Sequence, residues 1–132
     1  MAAADTNLLL RLLLDDDVEQ ARAARAFQRT HAPLFVSHVV LAELAWVLAS
    51  GYRFSRHRLH ELLEMLLDTD GFALQDPNVV QVALAHHRAS AAGFSDCLIL
   101  AIAQGAAATP LGTFDRRLGK LPGAQRLGRR AR

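Results

Sequence analysis

A single cysteine, Cys97, is all that the 132 residues provide, so neither a disulfide framework nor a multi-cysteine zinc site can be built within one chain. A reducing cytoplasm is the setting this suits. Long apolar runs are missing as well. Leu8 to Leu14 is too short to span a bilayer and carries Arg11 at its centre, and no basic segment precedes it as a secretory signal requires, so neither a targeting segment nor membrane association is expected. No glycine-rich phosphate loop, G-x-S-x-G elbow or H-E-x-x-H helix occurs, which leaves nucleotide-binding, esterase and zincin readings without a foothold. Of the six histidines, His57 and His60 lie among arginines, and His86 and His87 are adjacent, so on helices they do not converge as zinc ligands would.

What is present is apolar and unevenly charged. The apolar fraction is 52% and the mean hydropathy +0.13, rich for a chain that presents polar surface all round, so part of that surface is expected to be an interface. From Arg116 onward there are seven basic residues and no acidic ones, whereas residues 1–115 carry eight basic and thirteen acidic residues. A basic tail from about residue 116 beside an acidic body suits a protein that holds phosphates near bound cations. The length is that of one domain, residues 1–132.

Helix signals alternate with short strand signals, the order expected of an α/β fold with a mainly parallel sheet. Ala2 to Ala4 before Asp5 makes a weak first strand, because alanine is a poor strand former. A short helix over Leu8 to Leu14 and an amphipathic helix over Val18 to Thr30 are separated by Asp15 to Asp17, which break one and cap the other. Leu34 to Val36 reads as a strand, and Ser37 as the cap of an apolar helix that stops at Gly51. A surface helix opens at Ser55, and Phe72 to Leu74 is a strand. Asp76-Pro77 opens a helix to about Ser90, and Ser95-Asp96 opens another. Pro110 leads into a strand over Leu111 to Phe114, and Pro122-Gly123 turns into a last strand near Gln125 to Leu127.

Nine of the thirteen acids are explained by capping, loops or polar helix faces. Four are not. Glu43 sits in Val-Val-Leu-Ala-Glu-Leu-Ala-Trp-Val-Leu, where a buried carboxylate would need a cation, a donor or a proton, and Trp46 beside it reads as core. Asp96 begins an equally apolar helix, whose free N–H groups help keep it ionised. Asp5 and Asp115 each follow a strand at its carboxyl end, the edge where ligands bind in open parallel sheets. Carboxylates gathered there repel one another unless divalent cations offset the charge. Hard oxygen ligands favour Mg²⁺ or Mn²⁺, and with them phosphodiester hydrolysis.

Asp5-Thr6-Asn7 before a leucine run, Ser37 with Glu43 six residues on, Phe94-Ser95-Asp96 opening an apolar helix, and Thr113-Phe114-Asp115-Arg116-Arg117-Leu118 followed by Lys120-Leu121-Pro122-Gly123 together resemble the PIN domain, and more narrowly its VapC type of toxin. The resemblance spans nearly the whole chain. It implies a three-layer α/β/α fold with a central, mainly parallel sheet of four or five strands, and a Mg²⁺- or Mn²⁺-dependent endoribonuclease, the toxin of a type II toxin–antitoxin pair. It further implies a homodimer acting on cellular RNA and neutralised by a small antitoxin protein. By the motif, Asp5, Glu43, Asp96 and Asp115 are the catalytic and metal-binding acids, with Thr6, Asn7, Ser37 and Thr113 supporting them. Arg116 and Arg117 are expected to contact RNA phosphates. Two positions depart from the pattern: Ala2-Ala3-Ala4 replaces a β-branched first strand, and Cys97 stands where alanine is usual, as a packed small hydrophobe. The alternative function is a non-catalytic RNA- or partner-binding module of the same fold.

Overall fold

The computed structural model describes residues 1–14 and 16–128. Asp15, one member of the expected helix break, and the last four residues of the basic tail lie outside the described residues. The chain forms two compact units, Met1–Asp76 and Pro77–Arg132.

In the first unit the order is α1 (Thr6–Leu13), α2 (Val18–His31), β1 (Leu34–Val36), α3 (His38–Trp46), α4 (Arg56–Asp68) and β2 (Phe72–Leu74). Each helix start follows from a side chain that satisfies an otherwise unpaired N–H. Asp5 accepts from Leu8 N, Asp17 from Gln20 N, Ser37 from Val40 N and Ser55 from Arg58 N. At its end α3 widens into a π-helical turn, Val47–Gly51. There the Val47 N–H is shared between the carbonyls of Glu43 and Leu44, and Ser50 Oγ donates to the Trp46 carbonyl at 2.6 Å. The sequence reading expected one continuous apolar helix across this stretch, and nothing in residue type marks the widening.

β1 and β2 pair in parallel with Leu34 opposite Phe72 and Val36 opposite Leu74. On the other side of β1 the first strand survives as one parallel bridge, Ala3 to Phe35. Ala4 N donates to Phe35 O, and Phe35 N to Ala2 O, both at 2.9 Å. Three alanines hold a backbone in register but bring little side-chain packing to extend the ladder. Leu9, Leu34, Leu41, Leu44, Leu48, Leu63 and Leu66 are almost completely buried, so β1 and the inner faces of the helices share one apolar interior.

The second unit runs α5 (Pro77–Ala89), α6 (Phe94–Gly105), β3 (Leu111–Thr113) and β4 (Ala124–Arg126), with a short 3₁₀ turn at Leu118–Lys120. Val80, Ala83, Cys97, Leu98 and Leu100 are buried. Cys97 is thus a packed small hydrophobe, as expected. Buried His87 meets the Phe94 ring edge-on, with centroids 5.9 Å apart. β3 and β4 pair in parallel from Leu111 opposite Ala124 to Thr113 opposite Arg126. The fold is therefore α/β with parallel strands, as read from the sequence. Among the described residues its hydrogen-bonded ladders are one pair and a bridge in the first unit and one pair in the second, with strands three residues long.

Gly123 turns the chain into β4 with φ +91°, and a Cβ there would lie 2.7 Å from Gln104 Nε2, the group that donates to the Pro122 carbonyl. Gly123→Ala is expected to lower stability by about 1–2 kcal/mol through backbone strain and loss of that bond, as measured by urea denaturation. Among the described residues, no helix is long and apolar enough to cross a membrane.

Candidate active site

Asp5 stands where the first strand ends and α1 begins. One oxygen of its carboxylate accepts from Leu8 N at 2.9 Å, which fixes the side chain and leaves the second oxygen available. Next to it Thr6 is buried, 8% exposed, and its hydroxyl donates to Glu43 Oε1. That bond ties α1 to α3. Asp5, Thr6, Asn7 and Glu43, with Leu10 and Val47, line a cavity of about 300 Å³. Two carboxylates, a hydroxyl and an amide thus meet over an aliphatic floor.

Glu43 is on the solvent side of α3 rather than buried, which corrects the expectation from its apolar surroundings. Leu41, Leu44 and Ala45 face inward, while Val39 and Trp46 are 78% and 67% exposed. Trp46 is therefore not core, contrary to the sequence reading. A helix apolar on both faces does not announce which face is covered. Here the uncovered one carries Glu43 between two large apolar side chains.

In the second unit, Asp115 follows β3 and repeats the arrangement of Asp5. Its Oδ1 accepts from Leu118 N at 2.8 Å, while its own N–H donates to Thr113 Oγ1 at 3.0 Å. Thr113 so fixes the backbone of the acid two residues on. Asp96 lies in the first turn of α6, whose N-cap, Gly93, offers no side-chain acceptor. Burial, and then the charge of Asp115, push the Asp96 carboxyl above its ordinary value of 3.8. The free N–H groups of the helix start, expected to hold it ionised, are outweighed.

Ser37 caps α3 through Val40 N, a local structural role, and is not among the residues lining the acidic cavity. Arg116 and Arg117 are exposed. Leu10 and Val47 complete the cavity wall, and residue type alone could not have singled them out. Arg11, read only as the interruption of a leucine run, pairs through Nη1 with Asp16 at 2.6 Å, and Asp16 also accepts from the Tyr52 hydroxyl at 2.9 Å.

The donor set is all oxygen, which suits Mg²⁺ or Mn²⁺ rather than zinc. Among the described residues no group of three or more His, Cys, Asp or Glu side chains gathers to hold a metal ion, so an all-protein cage does not fit. Mg²⁺ does not require one, since it takes one or two carboxylates and keeps water and phosphate oxygens for the rest of its shell. The pair Asp5 and Glu43, and the pair Asp96 and Asp115 with its mutual repulsion, fit that mode of binding.

A VapC ribonuclease of Aquifex aeolicus (strain VF5) is 26% identical to this chain over 124 residues, 92% of each protein. The PIN domain family profile matches residues 2–124. That span takes in nearly all of the first unit, most of the second and all four acids, and the chain belongs to the PIN domain family.

Proposed function

We propose that this protein is a Mg²⁺- or Mn²⁺-dependent endoribonuclease, the toxin of a type II toxin–antitoxin pair, which hydrolyses phosphodiester bonds of cellular RNA in the cytoplasm. The observation that carries it is the acidic cavity of Asp5 and Glu43, organised by the Thr6 hydroxyl, together with an Asp96 side chain whose ionised form is disfavoured by burial and by the charge of Asp115. Similarity to a relative named VapC ribonuclease over 92% of the chain supports the choice of RNA and of an antitoxin partner.

Asp5 and Glu43 in the first unit, and Asp96 and Asp115 in the second, are the pairs of residues that would each hold a divalent ion. When bound, it supplies the positive charge that a phosphodiester needs as negative charge grows on its oxygens, and it acidifies water. Thr6 orients the Glu43 carboxylate through its hydroxyl. Leu8 N and Leu118 N each hold one oxygen of Asp5 and Asp115, so these acids meet the ligand with little rearrangement. Asn7 offers an amide to the same cavity, and Arg116 and Arg117 stand exposed to meet RNA phosphates. Exposed Val39 and Trp46 beside Glu43 form an apolar strip of the kind a partner covers, which supports a homodimer.

The purified protein is expected to cut tRNA or ribosomal RNA only with Mg²⁺ or Mn²⁺ and to stop when the ion is chelated. Cleavage that persists in chelator overturns the mechanism. Tight, salt-dependent RNA binding with no cleavage under any divalent ion would instead make the protein a binding module of the same fold.

A further inference from the structure

Asp16 stands in the break between α1 and α2, but it is Asp17 that caps α2. Asp16 instead holds two groups from different elements. Its Oδ1 accepts from Arg11 Nη1 of α1 at 2.6 Å, and its Oδ2 accepts from the Tyr52 hydroxyl at 2.9 Å. The Arg11 side chain is only 16% exposed, and its Nε is closed off from solvent with no acceptor among the described residues. The charge of Asp16 therefore steadies this guanidinium, because a largely buried cation stripped of its partner is costly.

Both partners of Asp16 lead to the acidic cavity. Arg11 follows Leu10, and Asn7 stands one turn back on α1; Leu10 and Asn7 line that cavity with Asp5 and Thr6. Tyr52 ends the π-helical turn, and its N–H donates to the Val47 carbonyl at 3.2 Å. Val47 lines the same cavity, and its own N–H is shared between the carbonyls of Glu43 and Leu44. The bonds close a ring. It runs from Glu43 through the Thr6 hydroxyl to α1, along α1 to Arg11, across Asp16 to Tyr52, and through the π turn back to Glu43. The Thr6 bond fixes one point of α1 against α3, and a second tie fixes its direction.

We propose that Asp16 is a positioning residue for the divalent-ion site of Asp5 and Glu43. By holding Arg11 and Tyr52 together it sets the spacing of the two cavity walls, and through them of the two carboxylates. The proposal rests on the reading of that pair as metal ligands.

The test is calorimetric titration of Mn²⁺ into the full-length protein well below its melting temperature. Tyr52→Phe deletes one tie and keeps the ring, and Asp16→Ala deletes both. Tyr52→Phe is expected to weaken uptake about threefold or more, and Asp16→Ala further. In a Glu43→Gln background neither change should matter, whereas in an Asp115→Asn background both should keep their effect. In chelator, the methyl NMR signals of Leu10 and Val47 should move in both variants, while those of Val80 and Leu98 in the second unit stay in place. Variants that melt lower yet take up Mn²⁺ as the wild type does would make the network a stabiliser of the fold alone and overturn the proposal. Equal losses in the two backgrounds would overturn it too. A wild type that takes up no Mn²⁺ overturns the metal reading, and the methyl signals then decide. Unmoved signals of Leu10 and Val47 refute the positioning role, and displaced ones leave Asp16 as the residue that sets the cavity walls.

Discussion

Asp96→Asn is expected to lower RNA cleavage by about a thousandfold or more while making the metal-free protein more stable at neutral pH. The first effect follows from losing a ligand to an ion whose stabilisation of developing charge is worth several kcal/mol. The second follows from the environment of the side chain. Burial and Asp115 raise the Asp96 carboxyl above its ordinary value of 3.8, so the folded chain holds that proton to a higher pH than the unfolded chain does. Its favourable contribution is complete below that ordinary value and is lost as pH rises through the folded value. At pH 7 the ionised group therefore opposes folding, and asparagine removes the opposition. Thermal melts in chelator should show the variant melting above the wild type at pH 7, with the gap closing as pH falls toward 3.8. A variant less stable than the wild type at pH 7 would mean that Asp96 serves as a structural cap.

Thr6→Val is expected to weaken Mn²⁺ uptake about 10- to 100-fold, the range found when the hydrogen-bond partner of a metal ligand is removed. Thr6 is buried and its hydroxyl donates to Glu43 Oε1, so valine keeps the shape and deletes only the donor. Thr6→Ser restores the donor and should restore most of the affinity. Calorimetric titration of the three proteins checks this. A merely structural role for Thr6 predicts the opposite ranking, since serine would then leave the larger packing defect.

Much of this architecture was legible in residue types and spacing. Ser37 and Ser55 announced their helices as caps, and Leu34 to Val36 and Phe72 to Leu74 are strands over the residues expected. Asp5 and Asp115 were placed at strand ends by the order of elements, and their capping bonds to Leu8 N and Leu118 N confirm the local geometry. What escaped reading depends on packing between distant segments. The exposure of Glu43 and Trp46 is decided by which face of α3 meets the core, and an apolar helix is silent on that. The upward shift at Asp96 required knowing that burial and Asp115 act against the helix start. The pairing of Arg11 with Asp16 depends on how the chain turns after α1, which residue types do not state.

The account depends on two pairs of acids, Asp5 with Glu43 and Asp96 with Asp115, serving as ligands of divalent ions. Calorimetric titration of Mn²⁺ into the wild type and into Asp5→Asn, Glu43→Gln, Asp96→Asn and Asp115→Asn tests this most directly. The account predicts saturable uptake by the wild type and its loss or marked weakening in each of the four variants. Uptake by the variants indistinguishable from that of the wild type would contradict it.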